Sequence, residues 1–248
     1  MVSELLKSDA YSAADRIAAL RTRINLSGRR GQWKAAAADL TKLLELDPSG
    51  VHDHLQLAAV LVETGDLEAY RAHCGQMLPR FSASNDAAIL DQTAKACLLV
   101  PGSSPDLERA SQLANKAVIL GKNNAWFSFL QLDNGLAEYR QGHHASAVDW
   151  MRNVIGHPMN VGSPSPAWQR DVAAYSVMAM AQHQLKQAAE AHAALAKASG
   201  LAQTKLPQLG SDNLEQDWVD LLIAHILLRE AMELVEGQPA PAAHKSMP

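Results

Sequence analysis

Apolar residues recur at intervals of three and four along most of the chain, and glycine, proline and asparagine cut that pattern into short segments that pair as helical hairpins. Leu20, Ile24, Ala36, Leu40 and Leu43 fall on the facing sides of two predicted helices, 10–26 and 32–46. Asp47 and Pro48 end the second, because proline cannot extend helical hydrogen bonding. A second pair, 51–64 and 67–78, turns at Gly65 and Asp66 and closes at Pro79. The third opens with 86–100 and breaks at 101–105, where Ser104 before Pro105, followed by Asp106 and Glu108, reads as a new helix start. Its second helix carries Ala110, Leu113, Ala114 and Ala117 and stops at Gly121. The fourth pair, 126–140 and 145–155, turns at Gly142; after the Pro-, Gly- and Ser-rich stretch 156–166 comes a fifth, 167–184 and 187–199. A loop at 200–210 leads to a last helix over 214–235. No run alternates Val, Ile or Thr with polar residues in strand fashion, so the chain reads as all-α.

The hairpins repeat one another. Gly31, Trp33, Ala36, Leu40 and Pro48 in the first unit, Gly65, Leu67, Tyr70 and Cys74 in the second, and Gly142, His144, Ala147 and Met151 in the fourth occupy matching positions at a period of about 34 residues. In this the chain resembles tetratricopeptide-repeat (TPR) proteins. The resemblance implies a right-handed superhelical TPR-like solenoid of about five helical hairpins plus a C-terminal capping helix, covering 1–236, with 237–248 as a disordered Pro/Ala-rich tail. Glycine and alanine at the crossings let the helices approach closely.

Such a solenoid implies a non-enzymatic scaffold that binds a protein or peptide on its concave face, lined by the first helix of each pair. Alignment to the repeat places there Arg21 and Asn25, His52 and Gln56, Thr93, Phe129, Asp133 and Tyr139, and Ser176 and His183. Arg21 and Asn25 fall short of the Lys/Arg/Asn clamp with which some of these proteins grip a peptide carboxylate. Leu90 to Cys97 and on to Gly102, Ala125 to Arg140, and Asp217 to Glu230 are similar to the repeat region C-terminal to bacterial serine/threonine kinases of planctomycete type, over about residues 51–236. The alternative it implies is a partner-recruiting region of a multidomain signalling protein. The glycine-rich loop, strand lysine and catalytic aspartates of a kinase are not found in the sequence, so kinase activity is not carried over.

Charge adds a local contrast rather than a global one. Lys and Arg number 22 against 26 Asp and Glu, a net charge of -4 that gives no reason to expect nucleic acid or an anionic membrane as a partner. Yet Arg16, Arg21, Arg23, Arg29, Arg30 and Lys34 form an acid-free stretch, while Asp212, Glu215, Asp217, Asp220, Glu230, Glu233 and Glu236 crowd the last helix beside the lone base Arg229. Two solvated ends of a solenoid account for this; docking to an acidic partner, or of a second copy through the terminal helices, is the sharper reading. The last helix also runs Trp218 to Leu228 with only Asp220 and His225 as polar breaks, so either earlier repeats cover it or it offers an apolar face.

Cys74 and Cys97 sit inside apolar helical patterns, as buried thiols of a reducing cytoplasm rather than a disulfide. Neither a signal-peptide core nor an apolar run long enough to span a membrane is present, so the expected location is cytoplasmic. Ten histidines invite a metal, but His52/His54, His73/Cys74 and His143/His144 lack the three- or four-residue spacing that puts two ligands on one helix face. Ser163 and Ser165 lack a nucleophile elbow, and Gly28 to Gly31 lacks the ending of a phosphate loop. No enzyme, no cofactor and no metal are therefore expected.

Overall fold

The computed structural model describes residues 12–102, 107–156, 167–211, 213–214 and 217–237. Among them there are helices and turns but no strand. The helices are α1 (Ala13–Arg29), α2 (Trp33–Leu46), α3 (Val51–Thr64), α4 (Leu67–Phe81), α5 (Ala87–Leu98), α6 (Leu107–Leu120), α7 (Phe127–Arg140), α8 (His144–Gly156), α9 (Ala167–Gln184), α10 (Ala188–Lys205) and α11 (Trp218–Glu236). The expected helix start at Ser104 and the tail from residue 238 lie outside the described residues.

Local chemistry sets the boundaries. Ser12 caps α1, its hydroxyl accepting from the Asp15 amide while the Asp15 carboxylate accepts from the Ser12 amide. Asp66 and Asp86 cap α4 and α5 in the same way, each accepting from amides of the first turn. Gly65 (φ 78°) and Gly142 (φ 83°) adopt the left-handed backbone that reverses the chain inside the second and fourth hairpins.

Two expected ends move. Pro79 does not close α4: it lies in the last turn, where few backbone bonds remain to lose, and the helix continues to bury Phe81 beside the His54 ring. Gly200 does not end α10, because continuing to Lys205 buries Ala202 and leads into buried Leu206.

Each odd-numbered helix from α1 to α9 packs antiparallel on the even-numbered helix that follows it, and each hairpin stacks on the next. The α2–α3 and α8–α9 junctions carry the stack forward, and α3–α5, α5–α7 and α7–α9 align the first helices side by side. This is the all-α, TPR-like solenoid expected. One continuous core runs through it, from Leu20, Ile24, Ala36 and Leu40 to Ala191, Leu195 and Ala198. Small residues hold the crossings close. A Cβ at Gly135 would stand 2.8 Å from Trp150 Cβ, with Met151 pressed against it as well. Gly135→Leu is expected to lower stability by about 1–3 kcal/mol, read as a fall in Tm; an unchanged Tm would contradict this packing of α7 on α8.

The last helix does more than cover the end of the stack. α11 packs on α9 and α10, and it also reaches α3 and α1. Leu214 donates its amide to the Arg29 carbonyl (2.8 Å), Arg29 donates to Asn213 Oδ1, and Trp218 lies on Gly28 and beside Trp33. Residues 213–214 are thus held by the first hairpin, and the helix begins at Trp218, later than the periodicity predicts. The fifth hairpin and the first are joined through α11, which packs on both.

Candidate functional site

The inner side is a polar seam around an apolar helix. Lys95 of α5 meets Asp133 of α7 at 3.1 Å and Asp220 of α11 at 3.8 Å, with Asp91 one turn back on its own helix. The Lys95 ammonium also lies 5.7 Å from the centre of the Phe129 ring. Arg140 of α7 forms a two-pronged pair with Glu230 of α11 and donates to the carbonyls of Leu98 and Leu99. Arg229 of α11 forms a similar pair with Glu63 at the end of α3. Three helices of the row, α3, α5 and α7, therefore each hold α11 by one ion pair.

Electrostatics at the Lys95 cluster follow from burial. Burial works against the lysine charge, but Asp133, Asp220 and Asp91 outweigh it and hold the ammonium protonated, above its ordinary value. Burial pushes both Asp91 and Asp133 up, and Asp133, next to the Asp91 charge, goes well above the carboxylate range. Asp91 Oδ1 is buried without a hydrogen-bond partner.

The expected binding residues divide sharply against this seam. Arg21 is exposed but donates to Asp53 Oδ2 (2.9 Å) and Asp47 Oδ2 (3.1 Å). His52 is exposed; its Nδ1 lies 3.3 Å from Gln92 Oε1, and its Nε2 lies 3.2 Å from Gln56 Nε2, a chain consistent with donation from Gln56 to His52 to Gln92. Asn25 and His183 are half-buried. Thr93 and Ser176 are buried and turn their hydroxyls back to Ile89 and Val172 of their own helices. Gln56, Phe129, Asp133 and Tyr139 are buried too, and burial raises the Tyr139 phenol to about 12. Two pairs of them are brought together: His52 with Gln56, and Phe129 with Asp133 at Lys95.

The residues that organise the inner side are mostly others: Glu63, Asp91, Lys95, Arg140, Asp220, Arg229 and Glu230. Their sequence signal was the Asp91/Lys95 spacing of one helical turn and the lone arginine among the acids of the last helix. Part of each charged stretch is paired within the chain, while Arg30, Lys34, Glu233 and Glu236 are exposed. Arg23 pairs with Asp39, Arg21 with Asp47 and Asp53, and the acids Asp220 and Glu230 are spent on Lys95 and Arg140. The apolar run of α11 is buried by the chain itself, from Trp218 to Ala231, so it presents no broad apolar face to a second copy.

A second polar cluster lies in the second hairpin. His54 and His73 stack at 5.0 Å, the His73 ring donates to the His54 carbonyl, and the His54 ring donates to the Pro48 carbonyl. Burial lowers both, His73 to about 4. Because the folded value lies below the unfolded one, acid protonates the unfolded chain first, and this contribution is lost as pH falls from about 6.5 toward 4. For His73 the full loss is about 3 kcal/mol. The raised Asp91 and Asp133 act in the opposite sense, so the test compares variants. Denaturant unfolding of His73→Gln is expected to lose less stability between pH 7 and pH 5 than the native chain; equal slopes would contradict a neutral buried imidazole.

Among the described residues no group of three or more His, Cys, Asp or Glu could hold a metal ion, and no helix is long and apolar enough to cross a membrane. Cys74 and Cys97 are buried free thiols. No protein-family model and no curated protein matches the chain. Among solved structures, it is similar to a thermophilic TPR protein of Thermus thermophilus, TTC0263, at 17% identity and TM-score 0.49, covering 75% of this chain and 91% of that one. It is also similar to the MamA protein, at 15% identity and TM-score 0.43, covering 79% of this chain and 98% of the other. At so low an identity and TM-score the likeness carries no functional information. None of these findings links the chain to the kinase-associated repeats.

Proposed function

We propose that the protein is a non-enzymatic scaffold that holds a protein or peptide along the inner face of its hairpin stack. The observation that supports this is that the face already holds a helix. α11 lies against the first helices through buried apolar residues and three ion pairs, one each to α3, α5 and α7. Of the residues aligned to that face, His52 and Arg21 are exposed and Asn25 half-buried, which leaves them open to a visiting chain. The buried free thiols suit a reducing compartment such as the cytoplasm.

Site-specific photo-cross-linking tests the reading. A cross-linking amino acid placed at His52 or Asn25 is expected to trap the partner in the native host, whereas one at the exposed Gln76 or Gln112 of the second helices is not. Adducts formed only from positions 76 and 112 would contradict an inner-face scaffold.

A further inference from the structure

α11 is bound by two unlike sets of contacts. One is apolar, with Trp218, Leu221, Leu222, Ile223, Leu227 and Leu228 buried. The other is ionic: Asp220 to Lys95, Arg229 to Glu63 and Glu230 to Arg140. A permanent core element gains little from the second set, because apolar residues of similar volume serve a buried interface as well or better. What buried charge pairs supply is register and discrimination between partners.

They also ease departure. Undocking returns water to the charged groups that α11 itself meets, Lys95, Glu63 and Arg140, offsetting part of the apolar surface exposed. The described residues between Lys205 and Trp218 form no helix, and Asn213 and Leu214 are hydrogen-bonded to Arg29.

The geometry points to α11 as a displaceable occupant of the inner face, and to a partner that takes its place by repeating its code. That partner is an amphipathic helix with an apolar stripe, a carboxylate to meet Lys95 and, spaced as Arg229 and Glu230 are from Asp220, a base to meet Glu63 followed directly by a carboxylate to meet Arg140. This rests on the inner-face reading above and names the chemistry of the ligand.

The test uses the full chain in two measurements. Hydrogen exchange is expected to show the amides of 218–236 opening at least about tenfold more often than those of α3 and α7, as a separate unit. A fluorescent peptide of residues 217–237 is expected to give a saturable anisotropy change, and the same peptide with Asp220→Lys and Glu230→Lys to bind at least about tenfold more weakly. Amides of 218–236 that exchange only together with α3 and α7, or a peptide whose affinity ignores the two charge reversals, would overturn the displaceable helix. That failure leaves partner adducts at His52 intact, whereas adducts confined to the outer helices sink the scaffold reading and leave the opening of α11 measurable.

Discussion

Lys95→Met is expected to cost about 3–5 kcal/mol of folding stability. Methionine keeps most of the volume, so packing is little changed. What disappears is the one cation facing Asp91, Asp133 and Asp220, which leaves buried carboxylates with no counter-charge. A variant that also carries Asp91→Leu and Asp133→Leu removes the stranded acids and is expected to recover most of the loss. Denaturant unfolding checks both: a small cost for Lys95→Met alone, or no recovery in the combined variant, would contradict a buried charge cluster at the α5, α7 and α11 junction.

Gly28→Leu is expected to cost a similar amount, about 3–5 kcal/mol, the range for losing a buried aromatic side chain. A Cβ at Gly28 would lie 2.6 Å from Trp218 Cδ2 and 2.7 Å from its Nε1, inside the indole itself. The ring is rigid and fully buried, so it cannot yield by a small rotation and must leave its seat between Gly28 and Trp33. The displaced indole should shift tryptophan emission to the red along with the fall in stability. A native-like spectrum and an unchanged midpoint would show that α11 does not rest on the first hairpin.

Much of the architecture was legible because it is local. The spacing of Leu20, Ile24, Ala36 and Leu40, the turns at Gly65 and Gly142, and the small residues Gly135 and Ala147 each predict contacts within a hairpin, and those contacts form. Pro79 and Gly200 misled as helix ends because burial of Phe81, Ala202 and Leu206 outweighs a local preference.

The inner side was harder to read, since its contacts join residues far apart in the chain: Lys95 to Asp220, Arg140 to Glu230 and Glu63 to Arg229. Aligning the repeats assigned Gln56, Thr93, Phe129, Asp133, Tyr139 and Ser176 to an open face, yet all six are buried. Periodicity marks which residues share a helix face. It does not say that the chain's own last helix will come to lie against that face. The opposed charge stretches carried part of the missing information, because Arg23, Asp220 and Glu230 pair with Asp39, Lys95 and Arg140 of other helices.

The contact between the last helix and the first hairpin is the point on which the account turns, and nuclear Overhauser spectroscopy reads it directly. With Gly28 and tryptophan selectively labelled, strong cross-peaks are expected between the Gly28 Hα protons and the indole ring of Trp218, with the Gly28 protons shifted by the ring current. Cross-peaks from Trp218 only to α9 and α10, with none to Gly28, would mean that the stack does not wrap its own last helix.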